Sequence, residues 1–404
     1  MATVKENLIT VLDVGSAKTC ALIGEVTESG LRYRGHGISE SSGTRKGAIA
    51  DLEKATRSIQ RAVELAEISA AAEVERAVIG AGGPHIRGIN SRGGVALGAR
   101  AREITREDIR HAVERARMVS LPSDRQTLHL LPQEFIIDEQ DSIYDPAGMV
   151  AHRLEVNAHI VTAASSATQN LVTAVNRAGV EVDDVVFEML GSADAILQMD
   201  DRELGVCLID IGAGSSELIV FYEGAVAHTG VVPLGGDHFT NDVAVGLRTP
   251  LAEAEKIKKL FGSAVVTAVP EGNEIEAPGT GDQGSRLVPQ RMLAEILEPR
   301  TRELFEMVRE NLRQAGMMEA LGTGCILTGG GARLSGIGEV AEQVLRCPIR
   351  VLGPCAIPKM AAELANPEFS AATGMLLYTH RSRAGRLYQQ QGLKEKIRAL
   401  FVGV

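Results

Sequence analysis

The sequence predicts an α/β protein of two similar lobes, each built on a mixed sheet, with a further module inserted into the first. Three observations carry that expectation. Residues 8–26 (LITVLDVGSAKTCALIGEV) and 204–222 (LGVCLIDIGAGSSELIVFY) share one plan: an apolar β-rich run, Asp-x-Gly, a small polar turn, and a second apolar run. Asp13 and Asp210 hold equivalent places about half the chain apart, the mark of a duplicated unit. Two later strands end alike in glycines, VIGAGG at 78–83 and CILTGGG at 325–331.

Each repeat reads as a hairpin followed by a third strand, at residues 31–38 in the first half and 225–232 in the second. Asp51 opens a helix whose Leu52, Ala55, Ile59, Val63 and Ala66 share one face. Residues 85–165 interrupt the symmetry. Thr105-Arg-Glu-Asp108 has the form of a capping box for a helix to about Met118, and strands at 126–138 and 151–163 flank a turn at 145–148. In the second half, residues 242–318 read mainly as two helices. One has Thr249 as N-cap, Pro250 in the first turn and Gly262 past its end. The Gly-, Pro- and acid-rich segment 269–285 predicts an exposed mobile loop. The second helix runs from about Gln290 to Gln314 and bends at Pro299.

Composition limits the function. The chain has 404 residues, 45% hydrophobic and 23% charged, enough to bury a core, which excludes disorder as the main state. The first ten residues do not read as a secretory signal, and no run nears the about 18 apolar residues of a membrane span. Five cysteines without a CxxC pair argue against a zinc site or disulfide framework and suit a reducing cytoplasm. Net charge −10 and 3% aromatics argue against nucleic-acid binding.

The glycine turns predict a nucleotide clamp. Small residues let backbone N–H groups approach phosphate oxygens. Gly15, Ser16, Ala17 and Lys18 would do so in the first hairpin, with Lys18 as a point charge, and Gly212, Ala213, Gly214 and Ser215 in the second. Asp13 and Asp210 suit a hydrated magnesium ion. Gly329, Gly330 and Gly331 let a strand end close on a nucleoside, and a helix would begin near Ser335. Glu255 and Lys258, one turn apart, share a helix face from which they could bond a ribose or base edge. Singly, each feature is an ordinary hairpin or surface ion pair; the combination and spacing carry the reading. The chain has neither GxxxxGK[ST] nor a GxGxxG opening a helix.

The last twelve residues, LKEKIRALFVGV, place Leu393, Ile397, Leu400 and Phe401 on one helical face, behind the basic polar stretch 380–391. That pattern predicts an interfacial helix on an anionic membrane, the bland alternative being a helix docked on the body. Full burial of those side chains gives at most roughly 6–12 kcal/mol, against about 1–2 kcal/mol per residue for ordering the backbone. One copy would therefore bind weakly and a polymer firmly.

The phosphate turns resemble those of the actin, Hsp70 and sugar-kinase superfamily. Over nearly the whole chain, LDVGSAKTCALIGE, ELGVCLIDIGAGSSELIVFYEGAVAHTGVVPLGG, LAEILEPR, ILTGGGARLSGI and the amphipathic end resemble FtsA, the bacterial actin-like cell-division family. The resemblance implies a two-lobed actin-like (ribonuclease H-like) fold. Subdomain 1A would comprise 1–84, 166–198 and 358–380; 1C, 85–165; 2A, 199–240 and 316–357; and 2B, 241–315. A linker would cover 381–392 and a membrane-targeting helix 393–404. It implies ATP with magnesium between the lobes, adding Thr19 and Gly235 to the nucleotide set, and slow hydrolysis at best, with Asp210 serving metal or water. It further implies polymerisation, a peripheral place on the inner face of the membrane at the division site, and recruitment of later division proteins through 85–165. FtsZ's C-terminal peptide would meet 2B at Arg300, with Arg286 and Arg291 nearby. A PilM-like adaptor ATPase, a small-molecule kinase and an Hsp70-like ATPase share the body plan; the tail and the insertion favour the first reading.

Overall fold

The computed structural model describes residues 7–281 and 284–383. The apolar run Leu8–Val14 forms a strand that is buried from Ile9 onward. It pairs antiparallel with Lys18–Thr27, which pairs with Gly30–Glu40. Asp51 caps the helix Leu52–Ala70, its Oδ1 accepting from Lys54 N at 3.1 Å, and Ala55, Ile59, Val63 and Ala66 face inward. The helix carries the chain back to the parallel strand Arg76–Ala81, beside which lies Glu181–Phe187.

The second lobe repeats this order. Ala225–Val232, Ser216–Tyr222 and Val206–Ile211 run antiparallel, and Cys325–Thr328 and Ile349–Val351 continue in parallel. Both lobes therefore present the turn of a first hairpin and the end of a parallel strand at the same edge. The lobes are joined by the helix Glu188–Ile196 and by helical residues 370–383. These two cross closely because neither has a side chain at the crossing: a Cβ on Gly374 would lie 1.8 Å from the Gly191 carbonyl oxygen.

The inserted module is a four-stranded sheet, Gln140–Ile143, Arg125–Ile137, Arg153–Ala164 and Ile86–Ala96, covered by the helix Arg106–Arg117. The expected capping box is present: Asp108 N donates to Thr105 Oγ1 (3.2 Å) and Thr105 N to Asp108 Oδ2 (2.9 Å). The strand Gln140–Ile143, which the sequence did not announce, pairs back on Arg125–Ile137 before the turn at 145–148. The module also rests on the second lobe, where Gln133 Nε2 donates to the Val226 carbonyl at 2.8 Å.

Beyond the second sheet lie the helices Gly236–Leu247, Leu251–Phe261 and Gln290–Gln314, joined in one core by Phe239, Val243, Ile257, Leu297, Leu304 and Phe305. Pro299 sits inside the last of them. Two expectations change here. Pro250, not Thr249, is the N-cap: Pro250 is held extended and its carbonyl accepts from Glu253 N and Ala254 N, while the Thr249 hydroxyl is buried without a partner. The segment 269–285 is not a structureless loop throughout. Glu274–Ala277 pairs with Arg286–Pro289, because Ile275 and Ala277 alternate inward with Val288. The five cysteines are free. Among the described residues no helix is long and apolar enough to cross a membrane. The expected membrane face of Leu393, Ile397, Leu400 and Phe401 lies outside the described residues.

Candidate functional site: a glycine-lined cleft between the lobes

The duplicated hairpins point their turns into one cleft of about 560 Å³. Each turn closes in the same way: Gly15 N donates to the Lys18 carbonyl and Gly212 N to the Ser215 carbonyl, both at 3.0 Å. The turns nearly meet across the mouth. A Cβ on Gly214 would lie 2.6 Å from Lys46 Cα and 2.9 Å from Ser16 Oγ, and Ser16 Oγ accepts from Gly47 N at 3.0 Å. Gly329, with φ of 85°, turns the parallel strand end away so that Gly330 and Gly331 line the wall; a Cβ there would strike Asp210 Oδ1.

Of the residues expected from sequence, Asp13, Gly15, Ser16, Lys18, Asp210, Gly212, Gly214, Ser215, Glu255, Lys258, Gly329, Gly330, Gly331 and Ser335 line this cleft. Thr19 and Gly235 do not. Thr19 is fully buried behind the hairpin, its hydroxyl 2.8 Å from Ser41 Oγ. Gly235 supports the second turn from behind, where a Cβ would meet the Gly212 and Ala213 carbonyls at 2.6 Å. The helix after the triple glycine begins at Ile337, following a short 3₁₀ turn. Lys258 Nζ bonds Glu255 Oε2 (2.6 Å), the Gly236 carbonyl (2.9 Å) and Thr240 Oγ1 (2.8 Å), so the pair braces two helices at the cleft wall.

Sequence reasoning missed two carboxyl groups. Glu188 begins the inter-lobe helix, and Glu217 lies opposite Asp210 in the strand register; both line the cleft. Glu217 accepts a hydrogen bond from Gly83 N, linking one lobe to the other at the cleft floor, while its second oxygen is buried without a partner. The available signal was a lone acid in an otherwise apolar strand, SSELIVFY. Burial raises the carboxyl groups of Asp13, Glu188, Asp210 and Glu217. Asp210 reaches about 7, through burial first and the Asp13 charge second, with Lys18 opposing. Glu217 reaches about 8, again chiefly by burial. Lys18 Nζ donates to the Glu368 carbonyl at 2.5 Å and lies over the Phe369 ring.

This donor set fits a hydrated cation escorted by phosphates. Asp13 and Asp210 occupy symmetric strand ends, and an orphaned carboxylate oxygen lies nearby. Among the described residues no three His, Cys, Asp or Glu side chains form a metal cage of their own, and magnesium needs none, since waters and phosphates complete its shell.

The basic residues of the outer second lobe are already partnered. Arg300 bonds Asp242 in a fork (2.6 and 3.1 Å) and also pairs with Glu303. Arg286 donates to the Leu247 carbonyl at 2.5 Å, and Arg291 lies 3.6 Å from Glu271 and 3.7 Å from Glu295.

Two sheets of one strand order, facing glycine turns across a cleft, define the actin-like class. The PilM of a PilM-PilN type IV pilus biogenesis complex has this fold, with TM-score 0.65 and 18% identity over 92% of this chain and 98% of that one. So does MreB5 of Spiroplasma citri bound to ADP, with TM-score 0.55 and 14% identity over 92% and 96%. At these identities the likeness shows the fold alone. The family is shown by sequence. Residues 207–374 match the model of the cell division protein FtsA, and residues 83–162 match the SHS2 domain inserted in it. The chain is 40% identical to the cell division protein FtsA of Pseudomonas aeruginosa over 94% of its own length and 91% of that protein. It belongs to the FtsA family of cell-division proteins.

Proposed function

We propose that this chain binds Mg·ATP between its lobes, polymerises, and holds FtsZ filaments at the inner face of the cytoplasmic membrane at the division site. There it also recruits later division proteins through the module at 85–165. The observation that carries the nucleotide reading is the cleft itself: two glycine turns of like geometry face each other over a set of carboxyl groups. Gly15 N–H and Gly212 N–H close the turns, so the backbone N–H groups of Ser16 and Ala17, and of Ala213 to Ser215, would hold phosphate oxygens, with Lys18 supplying positive charge. Asp13 and Asp210 would take the hydrated magnesium ion, which neutralises phosphate charge.

Glu188 and Glu217 are placed to orient water toward the phosphates. Burial raises the proton affinity of both, and Glu217, at about 8, is largely protonated near neutral pH, which leaves little carboxylate to act as a base and supports slow turnover. The bond from Gly83 N to Glu217 couples the state of the cleft to lobe closure, so that nucleotide biases a two-state body. Residues 393–404 would supply the membrane contact, and Arg300, with Arg286 and Arg291, the surface for the FtsZ C-terminal peptide.

The test is co-sedimentation of the full chain and of a 1–392 truncation with anionic liposomes, each with and without Mg·ATP. Pelleting of the full chain alone, strengthened by nucleotide, supports an assembly-amplified anchor. Equal behaviour of the two would refute the anchor and return weight to a PilM-like adaptor.

A further inference from the structure

The second lobe carries a thiol cluster that the nucleotide cleft does not use. Cys207 and Cys325 are paired residues on neighbouring parallel strands, and both are fully buried. Cys325 Sγ lies 3.5 Å from the Sγ of Cys347. Cys347 follows the helix Ile337–Leu345, and its neighbour Pro348 accepts from Cys325 N at 2.9 Å, which fixes the two backbones against each other. Of the three thiols only Cys347 is partly open to solvent. Among the described residues no three such ligands hold a metal, so the cluster is not a metal cage. Two sulfurs already in contact need only close to about 2.05 Å to form a bond.

We propose that Cys325 and Cys347 are a latent disulfide site, closed by peroxide and reopened by thiols. It would staple together the two ends of the segment that carries Gly329 to Gly331 and Ser335. The chemistry balances. The Cys347 thiolate attacks one peroxide oxygen; an S–O bond forms, the O–O bond breaks, and the leaving hydroxide takes up the proton Cys347 released. Cys325 sulfur then attacks the Cys347 sulfur; S–S forms, S–O breaks, and the departing hydroxide leaves as water with the Cys325 proton. The thiols lose two electrons, the peroxide gains them, and two waters result.

The hydrogen bond to Cys325 and burial both hold the Cys347 thiol above its ordinary range, so the thiolate is scarce and the pair stays reduced at rest. The rate should therefore rise by about tenfold per pH unit through neutrality and above. The bond closes a loop of about 23 residues, which restricts the unfolded chain and raises the melting temperature.

The test treats the full-length protein with hydrogen peroxide at pH 7 and pH 9, blocks free thiols, and maps non-reduced peptides by mass spectrometry. The expected product joins the peptides of Cys325 and Cys347, lighter by two hydrogens, and forms faster at pH 9. It melts at a higher temperature than the reduced protein and reverts with dithiothreitol. Cys347→Ser abolishes the product, and Cys355→Ser, at the exposed cysteine, leaves it intact. Oxidation confined to Cys355, a bond between Cys207 and Cys325, irreversible over-oxidation of Cys347, or a lower melting temperature in the cross-linked form would each overturn the proposal.

Discussion

Asp210→Asn separates what the cleft carboxylates do for the nucleotide from what they do to the fold. In the folded chain burial raises the Asp210 carboxyl from its ordinary value of 3.8 to about 7. A group raised on folding contributes stability that is present below its unfolded value and lost as pH rises through the folded one. Taken alone, it would cost the nucleotide-free protein about 2.5 kcal/mol between pH 5 and pH 8. Asp210 is half-buried on the cleft wall, where solvent screening lessens the shift, so an effect of about 1–2 kcal/mol is expected. In a chain of this size that shifts the melting temperature by about 1–3 °C. The asparagine variant keeps the shape and removes the ionisation. Calorimetry on nucleotide-free wild type and variant at pH 5 and pH 8 should show the wild type losing more stability than the variant. Fluorescent-ATP titration with magnesium should show the reverse order of merit, with wild-type affinity rising from pH 6 to pH 9 and the variant binding weakly throughout. Identical pH slopes in the two proteins would refute the assignment of a buried, proton-holding Asp210.

Three further outcomes are expected. Gly374→Ala places a methyl 1.8 Å from the Gly191 carbonyl oxygen, forcing the inter-lobe helices apart; a loss of about 1–3 kcal/mol is expected in urea unfolding, and a neutral result would mean the helices do not cross as described. Asp108 in the module is held well below the usual carboxylate range, first by its bonds to the Arg102 guanidinium and then by Thr105. Its contribution is present above the unfolded value near 4 and lost as pH falls below it. Asp108→Asn should therefore flatten the acid limb of module unfolding, followed by hydrogen exchange, and Thr105→Ala should cost about 1 kcal/mol. Arg300→Ala removes a forked ion pair with Asp242 at a partly open site; fluorescence anisotropy should show weakened binding of the FtsZ C-terminal peptide with the circular dichroism unchanged, and unaltered peptide affinity would remove Arg300 from that surface.

The duplicated plan was legible because it is local. Asp13 and Asp210 each end an apolar strand before a turn of small residues, and strand, turn and strand are adjacent in the chain. The capping boundaries of the first helix and of the module helix were equally local, since Asp51 and Thr105 bond backbone groups three residues on. Pro250 misled because its carbonyl, not a side chain, does the capping. The short strand Glu274–Ala277 hid within an acidic, glycine-bearing segment whose inward alternation spans only two residues.

By itself the sequence determined the two lobes, the inserted module, the glycine turns and the aspartates that end the hairpins, because hydrophobic period and turn chemistry act over a few residues. The tertiary structure alone decided which groups share the cleft. Glu217 is Asp210's partner within one hairpin, but Glu217 comes to Asp13, and Glu188 to Asp210, only when two lobes far apart in the chain close together. Thr19 and Gly235 fall behind the turns rather than on the wall because strand alternation and close backbone contact point them there. Burial then sets the proton affinity of the carboxyl groups, and burial is a property of the packed whole that no short stretch of chain carries.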